Sequence, residues 1–347
     1  MKFRLLMVMT VIACRPALAQ TAPVAPKPVP KPDPSIQELV NAPIGSIRGL
    51  SVVNDSVVWV SGTQGKAGRT TDGGKTWTWI SVPGCDSVDF RDVEGFSGER
   101  ALLMGIASPG RVLLTEDGGK NWEQVYYNSD SAVFLDAMDF WGDKKGFIAG
   151  DPLGGSFKGL ITPDGGKTWY NLPMPKADSA EAILAASGTT LRALPGGQVA
   201  FATGGSHSRF YRLKGRTWQV SEWSATQWQA STGIFSFAFL TDKQGIAVGG
   251  DYVQPEIVKG NCLITADGGL NWALPKTPPR GYRSAVEYVD KNIVICTGPT
   301  GTDWSADGGL TWQALPGEGF HAVRRAKSGK AVYLAGSKGR IAVVRGM

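Results

Sequence analysis

The folded body, about 310 residues of the 347-residue chain, is natural for one repeat domain and long for two ordinary ones. Two histidines cannot build a His-rich metal site, and of the four cysteines the three in the body, Cys85, Cys262 and Cys296, are an odd set without regular spacing that makes no disulfide framework, with a single pair left open. The formal charge of +6 is no argument for nucleic acid or membrane binding: residues 1–34 hold five basic residues and one acid, which leaves 31 basic against 29 acidic residues in the body.

In chain order, Lys2 and Arg4 precede an apolar run from Leu5 to Ala13, and Ala17-Leu18-Ala19 offers a small-residue cleavage site before Gln20. The pattern predicts a secretory signal over residues 1–19, too short to span a bilayer. Val11-Ile12-Ala13-Cys14 also reads as a bacterial lipobox, so two mature N-termini stay open: cleavage after Ala19, or a lipidated Cys14 as the chain's membrane tie. Either one predicts a periplasmic or extracellular protein. Residues 20–34 contain TAPVAPKPVPKPDP, which cannot pair in a sheet and is expected to be an extended, semi-rigid tether before a body at 35–347.

One stretch then recurs five times: TTDGGKTW at Thr70 to Trp77, TEDGGKNW at Thr115 to Trp122, TPDGGKTW at Thr162 to Trp169, TADGGLNW at Thr265 to Trp272 and SADGGLTW at Ser305 to Trp312. A damaged copy stands at Lys214-Gly215-Arg216-Thr217-Trp218. Asp accepts hydrogen bonds from backbone N–H groups a residue or two ahead and Gly tolerates positive φ, so DGG predicts a turn and Trp an apolar anchor entering the next strand. Asp72, Asp117, Asp164, Asp267 and Asp307, with Trp77, Trp122, Trp169, Trp272 and Trp312, are therefore read as structural. The Trp spacing lies in or near the roughly 40–50 residues of a four-stranded propeller blade.

The second unit predicts strands over Phe90 to Phe96, Ala101 to Ile106, Arg111 to Thr115 and Asn121 to Tyr127, with turn signals between them. Aligned on the Trp residues, seven units begin at Ile47, Phe90, Phe134, Leu191, Phe235, Tyr282 and Phe320. The last ends at Met347 after a third strand, with no turn motif and no Trp. The partly apolar piece Ile36 to Val40 is placed to supply the missing strand and remove an exposed edge. The expected fold is all-β: a seven-bladed β-propeller of four-stranded antiparallel blades, closed by an N-terminal strand.

These repeats look like the Asp-box or BNR repeats of sialidases and related propellers. With unit starts such as Phe90-Arg91-Asp92-Val93 leading to TxDGGxTW, the body more closely resembles the photosystem II stability/assembly factor-like propellers, a family also found in non-photosynthetic bacteria. The resemblance covers roughly Ile47 to the C-terminus. It implies an exported, non-catalytic module that binds a partner, although a propeller fold alone does not fix function.

Strand direction separates two faces. The DGG turns lie at one end of each blade and the first-strand starts at the other, where insertions at Asp151 to Lys158, Ala177 to Thr189, Gly205 to Phe210 and Asp251 to Lys259 are expected to build a working face. Arg48, Arg91, Arg192 and Arg283 share one register and are expected to ring the channel mouth with His321, beside Asp92, Asp136, Asp251, Tyr252 and Tyr282. Clustered guanidinium groups bind carboxylates or phosphates through paired hydrogen bonds, so a protein or other anionic ligand is the expected partner; salt bridges between blades are the structural alternative. A sialidase-like glycoside hydrolase is the competing reading, with arginines and tyrosines available but no Glu aligned beside a candidate Tyr. No motif implies a nucleotide, metal or other cofactor. A monomer is expected.

Overall fold

A computed structural model describes residues 32–223 and 226–347, so the signal segment, Cys14 and most of the tether lie outside the described residues. Seven antiparallel sheets follow one another along the chain. Their first strands touch in sequence, and the last touches the first, which closes the ring. In the second blade the strands are Phe90–Gly95, Ala101–Gly105, Gly110–Thr115 and Glu123–Asn128, within two residues of the sequence reading. Apolar residues from facing sheets interleave: Ala137, Phe147 and Phe157 of blade 3 pack with Leu191, Val199 and Phe201 of blade 4.

Closure occurs where the incomplete last unit predicts it. Ser35–Asn41 pairs antiparallel with Arg340–Arg345, setting Ile36 against Val344 and Gln37 against Val343. The seventh sheet thus joins both ends of the described chain. Blade 5 departs from the four-strand plan. Its outer strand shrinks to a bridge between Ile264 and Ala273, while two short strands, Glu181–Ala182 and Gly204–Gly205, extend its inner edge.

The recurring turn is a small hydrogen-bonded cage. The Thr70 hydroxyl donates to Asp72 Oδ1 at 2.8 Å and accepts the Gly74 N–H at 3.0 Å. Asp72 in turn accepts the backbone N–H and the hydroxyl of Thr76, at 2.9 and 2.6 Å, so the reach is four residues rather than one or two. The same pattern recurs at Asp117, Asp164, Asp267 and Asp307. These bonds stabilise the ionised form and hold the carboxyls of Asp72, Asp117 and Asp267 down to about 2.

The second glycine of each turn does more than bend the chain. Gly74 has φ of 85°, and a Cβ there would come within 2.7 Å of Leu39 in the closing strand. Its counterparts Gly119, Gly166, Gly269 and Gly309 would meet Ile80, Leu102, Phe210 and Ile246. Each of those contacts belongs to the preceding blade, so the turn seats every sheet against its neighbour. The closing strand supplies this contact for blade 1. Truncation through Asn41 should therefore lower the melting temperature by more than about 10 °C and expose a pairing edge, read by calorimetry and size-exclusion chromatography. An unchanged melting temperature would show that the strand is dispensable.

Candidate functional site

The first strands converge on the ring axis, and β-bulges at their starts decide which side chains reach it. Register shifts bracket Arg48 in blade 1, Arg91 in blade 2, Asp136 in blade 3 and Phe235 in blade 5. A bulged residue leaves the ladder and can be re-aimed. All four line a cavity of about 500 Å³ at the end opposite the DGG turns, joined by Ser284 of blade 6 and His321 of blade 7.

Blade 4 fills its share of the axis with main chain. The segment Ala185 to Gly188, part of the insertion expected to stand on a face, instead runs into the channel. Arg48 Nη1 donates to the Ala186 carbonyl at 3.1 Å, Arg91 Nη1 to that of Ala185 at 3.2 Å, and Arg324 Nη2 to that of Ser187 at 3.1 Å. The Ser187 hydroxyl donates to the Ser284 carbonyl at 2.8 Å. Contacts from blades 1, 2, 6 and 7 thus hold one strap on the axis, and it separates this cavity from a second at the turn end.

The cavity is electrostatically mixed. Burial, and then the neighbouring Arg91, lower the pKa of Arg48, which nonetheless stays charged. Burial and the nearby arginines depress His321 to about 3, so its imidazole is neutral; its Nδ1 has no hydrogen-bond partner. Burial pushes the Asp136 carboxyl well above the usual range, reinforced by Asp151, and neither Asp136 oxygen has a hydrogen-bond partner of good geometry. Asp151, raised to about 6 by burial, accepts the Ile183 N–H at 2.9 Å. Phe134, Leu184, Phe235, Tyr252 and Tyr282 supply apolar wall. Two arginines beside a carboxyl that burial holds well above its usual range present N–H donors to a carboxylate. The lining contains no glutamate, and so no Tyr–Glu pair.

Four expected members lie elsewhere. Arg192 sits in a regular ladder opposite Ala200, without a bulge, and donates to Glu287 at 2.9 Å and to the Phe237 carbonyl at 3.1 Å. It lines the cavity at the turn end. Arg283 is one residue ahead of the axial position, which Ser284 takes; fully buried, it is paired with Asp303 inside its own blade. Asp92, next to a bulge, accepts the Val93 and Met138 N–H groups and lines the turn-end cavity, where burial raises it to about 7. Asp251 accepts the Val253 N–H and closes its own loop.

The turn-end cavity, about 770 Å³, is not anticipated by the sequence reading. It holds Asp92, Glu94, Arg192, Glu287, Arg324 and Lys327, much of whose charge is paired internally, as in Lys327 with Glu94. These charges sit inside otherwise apolar first strands, a pattern that looks like ordinary strand alternation until the strand is known to be innermost. Among the described residues no cluster of His, Cys, Asp or Glu could hold a metal ion, and the three described cysteines are buried and unpaired.

Residues 38–130 match the family described as Photosynthesis system II assembly factor YCF48. A curated relative, the chloroplastic Photosystem II stability/assembly factor HCF136 of Arabidopsis thaliana, is 31% identical over 84 residues, covering 22% of this chain and 20% of the relative. The match therefore spans about a fifth of that relative's length. A structure titled YCF48 bound to D1 peptide is 19% identical, with a TM-score of 0.65 over 91% of this chain and 97% of its own. YCF48 from Cyanidioschyzon merolae, also 19% identical, gives 0.61 over 89% and 98%. The Neurospora crassa Pan2 WD40 domain gives 0.61 at 15% identity over 87% and 89%; at such identities the likeness is one of fold.

The raised carboxyl of Asp151 has a consequence for stability. A folded-state pKa above the unfolded value favours the protonated protein, so this contribution is complete below about pH 4 and is lost as pH rises through about 6. Asp151→Asn keeps the acceptor for Ile183 and removes the charge. Its melting temperature relative to wild type should rise between those pH values, measured by scanning fluorimetry; a difference independent of pH would contradict the assignment.

Proposed function

We propose that this chain, a photosystem II assembly factor-like propeller, is a non-catalytic binding module that holds a carboxylate of a protein partner in the Arg48–Arg91 cavity. The observation that carries the proposal is the pairing of these two guanidinium groups at adjacent bulges, each tethered to the axial strap through one nitrogen, with Arg91 held as well by its Nε on Asp89 at 2.8 Å, which leaves its Nη2 facing a ligand. A tethered arginine loses little further freedom on binding, and its fork matches a carboxylate with paired hydrogen bonds. The D1 peptide in the related structure's title agrees with a protein partner. Export of the chain, read from residues 1–19, belongs to the same proposal and places the encounter outside the cytoplasm.

Quantitative affinity purification from the native host tests this. Partner recovered by wild type should fall at least about tenfold with Arg48→Gln/Arg91→Gln and persist with Arg192→Gln, which alters the opposite cavity. Full retention by the double variant, or equal loss with Arg192→Gln, would overturn the reading.

A further inference from the structure

The end of the ring that carries the DGG turns is not uniform. The residue after each glycine pair stands at the tip of its turn, and the shared cage gives the five intact turns one backbone, so these tips project alike. Blades 1 to 3 place Lys75, Lys120 and Lys167 there, all exposed; blades 5 and 6 place Leu270 and Leu310, 49 and 48% exposed. A third leucine joins them. Leu274, 64% exposed, lies on the segment leaving blade 5, which is fixed to the blade 6 turn by the Lys276 N–H donating to the Leu310 carbonyl at 2.8 Å. Single exposed leucines are ordinary, but three on neighbouring blades at one end form a patch.

The patch has depth and a charged surround. Because the outer strand of blade 5 shrinks to one bridge, a cleft of about 480 Å³ opens between blades 5 and 6, with Ile264, Trp272, Tyr288 and Leu310 in its lining. On either side stand exposed cations at the same end: Lys214 and Arg216 in the damaged turn of blade 4, Arg325 and Lys330 on blade 7. The exposed acids of the leucine blades, Asp242 and Asp290, are each followed by a lysine, and the box aspartates are wrapped by their own cages.

The chain also enters the body at this end. The closing strand starts at Ser35, opposite Arg345 at the turn end of the seventh sheet, and the Asp33 N–H donates to the Gly346 carbonyl at 3.0 Å. Blade 7 adjoins blade 6, so the sequence holding the lipobox cysteine Cys14 and the basic Lys27 and Lys31 joins the body one blade from Leu310. Apolar side chains bordered by cations match a bilayer surface, where leucines enter the acyl boundary and cations meet anionic headgroups. A soluble protein partner gives no reason for the entry point to fall beside the patch.

We propose that this end of the ring docks on an anionic lipid surface through Leu270, Leu274 and Leu310, with the cations of blades 4 and 7 on the headgroups. The Arg48–Arg91 cavity, at the opposite end, then opens away from the bilayer. The carboxylate reading and this one are independent, since the docking face uses neither the strap nor its arginines.

Cosedimentation of the chain from Gln20 onward, which lacks Cys14, with phosphatidylcholine vesicles containing about 30% phosphatidylglycerol tests it. Wild type should bind these vesicles at least about tenfold more tightly than pure phosphatidylcholine, and Leu270→Gln/Leu310→Gln should weaken that binding about tenfold at an unchanged melting temperature. Both leucines lie outside the buried core, and three other blades carry polar lysine at this position, so the variant keeps the fold. No binding by wild type, equal affinity for both vesicles, or full retention by the leucine variant overturns the proposal. Leucine-dependent self-association on size-exclusion chromatography without vesicle binding assigns the patch to a second copy of the chain and overturns it as well.

Discussion

A ring of sheets encloses a hole, and every polar group facing that hole must find a partner or remain hydrated. Here the strap Ala185 to Gly188 answers much of that demand. Its carbonyls take one nitrogen each from Arg48, Arg91 and Arg324, and Ser187 links it to blade 6. The strap therefore orients the arginines and splits the channel. Two cavities of different character result: one with donors and apolar wall, the other with charges largely paired among themselves.

The repeated turn acts at the opposite end of the blades. Hydrogen bonds within it set the backbone, and its second glycine admits an apolar residue of the preceding sheet. Local turn chemistry and blade-to-blade packing are thereby the same device. That is why the motif tolerates Thr or Ser at its first position, and Thr or Asn four residues after the aspartate, but keeps the glycine pair in all five intact copies. A side chain at the second glycine would push neighbouring blades apart, whereas a changed hydrogen-bonding group can be replaced by another of similar reach.

The architecture was legible because it is periodic. Trp77 through Trp312 mark the blades, and the absent last turn motif reveals the closing strand. Axial geometry was less legible. Arg192 and Arg283 share the letters of Arg48 and Arg91 but not their backbone, since a bulge shifts one residue without a sequence signature and the strap insertion displaces the start of blade 4. Asp136 and Ser284 hold the axial positions that letter matching gives to neighbours. Arg324 and Glu287 carry no distinguishing signal, because mid-strand charges look like ordinary strand alternation until the strand is known to be innermost.

The central claim is that two arginines on adjacent bulges form a carboxylate site, while the other two arginines of the same apparent register do not. Side-chain nitrogen NMR reads these groups individually. On titration with a free-acid peptide, the Nε–H signals of Arg48 and Arg91 should shift together and saturably, while those of Arg192 and Arg283 stay in place. Shifts at Arg192 or Arg283 with none at Arg48 and Arg91 would contradict the account.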